Sequence, residues 1–138
     1  IWLGLVGSEM CIRDSPITQD SCAFYERTAI FADYDGVANG PQEGINISKA
    51  LADKDFLILQ NHGILTTGSM IDTTIWYFLN MEDACKSQLI AESVGKPIKI
   101  PHDVACNTRD YVANDLSAFV SLQPLLDLLW EEEKDFLD

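Results

Sequence analysis

A chain of 138 residues can hold one domain around a modest core, and its formal charge of −13 excludes binding to a phosphate backbone through clustered lysine and arginine. Hydrophobic residues make up 47% of the chain, yet no apolar run is long enough to span a bilayer, so we expect a globular protein. The four cysteines show no CxxC spacing, which predicts reduced thiols in the cytoplasm.

The first fifteen residues do not resemble natural protein sequence. Residues 5–15 back-translate into a string that resembles a transposase-type sequencing-library adapter read in frame. A signal peptide is the rival interpretation, but no basic segment precedes the apolar start and no clean cleavage site follows. We therefore expect residues 1–15 to be a non-native, adapter-derived segment that packs poorly and supplies no functional atom. Residues 16–138 would then be cut from a longer protein.

Two short strands and a helix are predicted in the next part of the chain. Runs rich in aromatic and apolar residues predict strands at residues 21–25 and 28–31. Gly40 and Pro41 mark the start of a helix, because proline suits the first helical turn. This helix should run to about Ala52, with Ile45, Ala50 and Leu51 inward.

A histidine between two apolar segments is the main candidate for chemistry. Residues 56–60 predict a buried strand, and a second apolar segment follows at residues 64–68. Asn61 and Gly63 are turn residues, so His62 should lie in a tight turn that holds its imidazole rigidly toward a cleft. From the pattern alone, His62 is either a metal ligand or a hydrogen-bonded structural residue.

A long helix is predicted from about Ile71 to Gly95. The segment 69–72 has the spacing of a capping box, and apolar residues then recur at helical spacing. The recurring residues, expected on the inner face, are Ile71, Ile75, Phe78, Cys85 and Leu89. The neighbouring aromatic residues Trp76 and Tyr77 indicate core or subunit contacts rather than a sugar-stacking platform.

Two further helices are predicted after the long one. Pro101 starts the first, and the second covers about Leu116 to Trp130 with Pro124 as a kink. His102 and Cys106 stand four residues apart, which places them on one helix face as a possible metal pair. The pattern offers no third ligand in register.

An ordered set of motifs resembles the class II aldolase and adducin family over residues 16–138. The motifs are Pro16-Ile17-Thr18-Gln19-Asp20, the Asn61-His62-Gly63 turn with Gly68 behind it, and Met81-Glu82-x-x-Cys85-x-x-Gln88. The resemblance implies a three-layer α/β/α fold with a largely antiparallel central sheet. It also implies a homo-oligomer, because active sites of this family lie at subunit interfaces.

The resemblance implies a divalent metal, zinc, held by three histidines. The third of these carries over onto His62, whereas the upstream His-x-His pair and the acid that moves the proton have no counterpart in this chain. Gln19 either reaches the same cleft and binds substrate or hydrogen-bonds a neighbouring loop. We therefore expect a fragment of a metal-dependent lyase for a small hydroxylated carbonyl compound, sugar phosphates included, that is inactive by itself.

A second family function is the alternative. Adducin head domains share the fold and the Asn-His-Gly turn, but they serve as non-catalytic assembly modules at the actin and membrane skeleton. The upstream sequence of the parent protein distinguishes the two, since a His-x-His pair with an acid favours the lyase.

Overall fold

A computed structural model describes residues 11–33, 36 and 40–132 of the chain. Short helices and strands alternate in the first half, and three helices make up the second. The elements are α1 (Cys11–Asp14), a 3₁₀ helix (Asp20–Phe24), β1 (Thr28–Phe31), α2 (Pro41–Leu51), β2 (Phe56–Leu59), β3 (Gly63–Thr66), α3 (Ile71–Val94), α4 (His102–Val112) and α5 (Asp115–Glu132). None of the described helices is both long and apolar enough to cross a membrane.

The described sheet has three strands in the order β1-β2-β3. Strand β1 runs parallel to β2, with Thr28 opposite Phe56, and α2 forms the crossover that a parallel pair requires. Strand β3 runs antiparallel to β2, with Gly63 opposite Leu59. The chain is therefore α/β with a mixed sheet, and the expected three-layer, largely antiparallel architecture stays a prediction about the longer domain.

An aromatic cluster joins the sheet to the 3₁₀ helix and to α3. The ring of Phe56 lies 5.0 Å from that of Phe24 and 4.9 Å from that of Tyr77, edge to face in both cases. The guanidinium of Arg27 lies 5.0 Å from the centre of the Phe56 ring and donates a hydrogen bond to Asp55 at 2.8 Å. Edge-to-face rings and a stacked cation add to the burial of this core.

Several predicted elements are confirmed. Strand β1 occupies residues 28–31 as predicted, and β2 and β3 flank the Asn61-His62-Gly63 turn. Helix α3 ends at Gly95. Helices α2 and α4 begin beside the predicted prolines, and α5 continues through Pro124.

The predicted strand at residues 21–25 is wrong, because this segment forms the 3₁₀ helix. Thr18 and Ser21 exchange hydrogen bonds, with the Thr18 amide donating to Ser21 Oγ at 3.0 Å and the Ser21 amide donating to Thr18 Oγ1 at 3.2 Å. Ser21 Oγ also donates to the Thr18 carbonyl at 2.7 Å. Such local side-chain bonds compete with an extended ladder and wind the chain into a turn.

The predicted inner faces of two helices are wrong in part. Ile71, Ile75 and Phe78 of α3 are 78%, 41% and 43% exposed, and Ile45 of α2 is 46% exposed. Cys85 is buried as predicted, and the other buried residues of α3 are Thr73, Trp76, Tyr77, Met81, Ala84 and Gln88. Helix α3 has apolar residues on several sides, so its periodicity does not determine which side packs against the sheet.

The expected capping box at residues 69–72 is also absent, since Met70 takes the N-cap position of α3 and makes no side-chain cap bond. Ser69 Oγ donates to Asp115 Oδ2 at 2.7 Å, and Thr73 Oγ1 donates to Asp115 Oδ1 at 3.1 Å. One carboxylate at the start of α5 therefore anchors the start of α3. Gly68 permits the tight entry, because a Cβ there would lie 2.7 Å from Thr74 Oγ1.

The expectation that residues 1–15 pack poorly fails for the last part of that segment. Ser15 is buried and accepts a hydrogen bond from Lys99 Nζ at 2.8 Å. The Arg13 carbonyl accepts a hydrogen bond from the Glu26 amide at 3.2 Å. Residues 1–10 lie outside the described part, so the domain boundary at residue 16 stays a prediction.

Replacing Phe56 with alanine should destabilise the chain by about 3–5 kcal/mol, because its ring is fully buried between two others. Phe78→Ala is the matched control and should cost about 1 kcal/mol or less, since that ring is half exposed. Urea unfolding followed by circular dichroism measures both. Equal losses of stability in the two variants would contradict the observed packing of α3.

The buried thiols should resist alkylation in the folded chain. Burial, with a smaller contribution from the charge of Glu82, raises the pKa of Cys85 to about 12, so only about one molecule in ten thousand is a thiolate at pH 8. Burial, helped by Asp20, also raises the pKa of Cys22. Peptide-resolved mass spectrometry after iodoacetamide treatment at pH 8 should find Cys106, which is only partly buried, labelled before Cys22 and Cys85. In urea all three should react at similar rates, and fast folded-state labelling of Cys85 would contradict its burial.

Candidate functional site

The turn between β2 and β3 holds His62 in a constrained backbone. Asn61 has a φ of 59°, in the left-handed region that asparagine tolerates, and Gly63 has a φ of 156°. The His62 amide donates to the Leu59 carbonyl at 3.0 Å, and the Gln60 amide donates to Phe31 at 2.9 Å. The turn is thus tied to the end of β2 and to its neighbour β1, and the His62 side chain is exposed at its tip.

His62 lines a cavity of about 560 Å³ between the sheet and two helices. Helix α2 contributes one side chain, the β2–β3 hairpin contributes five, and the first nine residues of α3 contribute four. The lining residues are Ile47, Leu59, His62, Ile64, Leu65, Thr66, Thr74, Ile75, Phe78 and Leu79. Volumes of this order are typical of small-molecule sites.

Three polar side chains line this cavity, and two of them use their hydroxyl protons within the fold. Thr66 Oγ1 donates to the Thr74 carbonyl at 3.2 Å, and Thr74 Oγ1 donates to the Met70 carbonyl at 2.9 Å. The imidazole of His62 is the one titratable group among the lining residues. An imidazole can ligate a metal, or donate or accept a proton.

The described residues do not by themselves fit a metal centre. Within residues 11–33, 36 and 40–132, no group of three or more His, Cys, Asp or Glu residues is arranged to hold an ion. The chain has two histidines in all, and a catalytic zinc site takes about three protein ligands. His62 can therefore supply one donor of such a set.

Gln19 is not brought to this cavity. It is exposed ahead of the 3₁₀ helix, its carbonyl accepts the Cys22 amide at 3.1 Å, and it is not among the cavity-lining residues. Its proposed contact with substrate remains a prediction.

His102 and Cys106 form a second polar cluster with residues from the other end of the chain. Cys106 Sγ lies 3.8 Å from His102 Nε2, and His102 Nδ1 lies 3.0 Å from the hydroxyl of Tyr25. The carboxylate of Glu26 lies 3.9 Å from Nδ1 and 3.4 Å from Arg109 Nη1. The tyrosine contact spans 77 residues, so no local sequence signal could reveal it.

Sequence reasoning missed the apolar wall of the His62 cavity. Ile75 and Phe78 were expected in the core, but they line the cavity instead. The sequence does contain a signal for these two residues. Helix α3 has more apolar positions than one buried face can accommodate, so some of them must lie outside the core.

Comparison of the sequence with known proteins identifies the family of this chain. The family model for the Class II Aldolase and Adducin N-terminal domain matches residues 6–89. The chain is 36% identical over 110 residues to "Decarboxylase NovR" of Streptomyces niveus, which covers 80% of this chain and 41% of that protein. It is also 36% identical over 110 residues to "4-hydroxy-3-prenylphenylpyruvate oxygenase/4-hydroxy-3-prenylbenzoate synthase" of Streptomyces roseochromogenus subsp. oscitans, covering 80% of this chain and 40% of that protein.

A solved structure agrees with these sequence matches. "L-fuculose 1-phosphate aldolase from Glaciozyma antarctica PI12" superposes with a TM-score of 0.73 at 32% identity, covering 94% of this chain and 50% of that one. The chain thus spans about two fifths of the length of the curated relatives it matches. The resemblance noted from the motifs is confirmed, and the chain belongs to the class II aldolase and adducin family.

Proposed function

We propose that this chain is part of a metal-dependent, class II aldolase-like lyase that acts on a small hydroxylated carbonyl compound. The observation that carries the proposal is the position of His62, whose imidazole is held by a tight hairpin turn at the wall of a ligand-sized cavity. Family membership supports the same reading.

His62 would be one ligand of a divalent ion, zinc, and its other ligands and the proton-moving acid would lie outside the described residues. When bound, such an ion stabilises negative charge that develops on a substrate oxygen. The chain's own contribution is to position His62. Because hydrogen bonds already hold the turn, the backbone of this metal ligand loses little conformational freedom when the ion binds. Within this proposal the isolated chain is inactive.

The names of the relatives point to different substrates. They are a decarboxylase, an oxygenase for a prenylated phenylpyruvate and an aldolase for L-fuculose 1-phosphate. The proposed reaction class is therefore bond cleavage beside a carbonyl group. Gln19 is a candidate substrate contact. The remaining parts of the proposal are a three-layer α/β/α domain in the longer protein, a cytoplasmic location, homo-oligomeric assembly and a non-native segment at residues 1–15.

A non-catalytic, adducin-like assembly module is the second candidate. The observation that favours it is a likeness to "Gamma-adducin" of Rattus norvegicus, which is 30% identical over 77 residues and covers 55% of this chain and 11% of that protein. A parent protein without upstream metal ligands would support this module.

Metal binding in a longer protein, with the upstream half restored, tests the proposal. His62→Ala should abolish substrate cleavage and weaken zinc binding by more than the roughly 10–100-fold typical for loss of a residue that only hydrogen-bonds to a metal ligand. His102→Ala changes the chain's other histidine and should leave both unchanged. Zinc stoichiometry by mass spectrometry and a competitive chelator titration measure the effect.

Two outcomes would contradict the proposal. One is a restored protein that binds no zinc, which favours the assembly module. The other is tight, stoichiometric zinc in the isolated 138-residue chain that survives His62→Ala and is lost in Cys106→Ser. That result would move the metal to the His102 and Cys106 cluster.

A further inference from the structure

We infer that the His62 cavity receives an uncharged, apolar part of the substrate, an aliphatic or aromatic group, rather than a phosphate. The inference rests on the proposed function and narrows its substrate class. It is carried by the side chains that line the cavity and by the positions of the charges around it.

The cavity wall is mostly hydrocarbon. Seven of its ten lining residues are aliphatic or aromatic. On α3, Ile75, Phe78 and Leu79 are 41–43% exposed, so they keep apolar surface that a ligand can cover. An apolar ligand gains free energy by removing this surface from water. A phosphate gains nothing there and loses its hydration.

Among the described residues, no lysine or arginine lines the cavity. The described arginines pair elsewhere: Arg27 with Asp55, Arg109 with Asp110 and Glu26, and Arg13 with Asp14. Phosphate sites in proteins depend on such cations or on free amides at a helix N-terminus. The cavity wall therefore lacks the charge that a phosphate dianion requires.

The N-terminus of α3 does not replace those cations. Asp72 lies in its first turn, and the carboxylate of Asp115 accepts hydrogen bonds from Ser69 and Thr73 at the same end. Two negative charges thus already occupy the positive end of the helix dipole. An incoming phosphate would meet like charge there.

The two threonine hydroxyls in the wall cannot compensate either. Thr66 and Thr74 direct their protons to the backbone carbonyls of Thr74 and Met70. What they present to a ligand is oxygen lone pairs, which repel an anion. The His62 imidazole, which is the metal ligand in the proposed function, then lies in a described wall that is otherwise mostly hydrocarbon.

Two α-hydroxyketones that differ in one end group test the inference. 2-Hydroxyacetophenone carries a phenyl group, and dihydroxyacetone phosphate carries a phosphate. Each is titrated into the 138-residue chain while the methyl signals of its isoleucine and leucine residues are followed by NMR. 2-Hydroxyacetophenone should bind with a Kd at least about tenfold lower and should shift the signals of Ile64 and Ile75.

Phe78→Ala should raise the Kd for 2-hydroxyacetophenone by about tenfold, and Phe78→Leu should fall between it and the parent chain. Phe119→Ala is the matched control, because Phe119 is also 43% exposed but lies on α5 and does not line the cavity. That control should bind like the parent chain. Circular dichroism melts verify that all variants are folded.

Three results would overturn the inference: tighter binding of dihydroxyacetone phosphate, equal effects of Phe78→Ala and Phe119→Ala, or no binding of either compound. The last result would mean that polypeptide, not ligand, covers this wall. The zinc test and this ligand test can fail separately. If His62→Ala loses zinc but the chain prefers dihydroxyacetone phosphate, the proposed function stands and only the inference about the cavity is wrong.

Discussion

The packing of Phe56 against Phe24 and Tyr77 is the contact on which the rest of the described structure depends. It joins β2 to the 3₁₀ helix on one side and to α3 on the other, with the Arg27 guanidinium stacked against two of the rings. Because Tyr77 is held inward, the residue that follows it on the helix must turn away from this core. That rotation places Phe78 at the cavity wall.

The same core accounts for the rigidity of the His62 turn. All four residues of β2 are buried, so the strand that carries the turn cannot shift without exposing apolar surface. Its end is bonded to β1 through the Gln60 amide, and the turn closes through the His62 amide. The histidine therefore projects from a backbone that packing and hydrogen bonds both hold, as a ligand or a proton-transfer group requires.

The charge distribution separates two surfaces of the chain. Around His62 the described wall is mostly hydrocarbon, and the other described lining residues carry no charge. Around His102, by contrast, Glu26 and Arg109 surround a histidine that also contacts a tyrosine hydroxyl and a thiol. The residues around a histidine thus determine which ligands it can bind, and its presence in the sequence does not.

The sequence by itself determined the local features of this protein: the turn at His62, the strands beside it and the end of α3 at Gly95. These depend on backbone limits and short-range periodicity, which neighbouring residues carry. Only the tertiary structure decided which side of α3 is buried and which of its apolar residues line the His62 cavity instead. Those outcomes depend on contacts between distant segments, such as Phe56 with Tyr77 and Asp115 with Ser69, and no local pattern encodes such pairings.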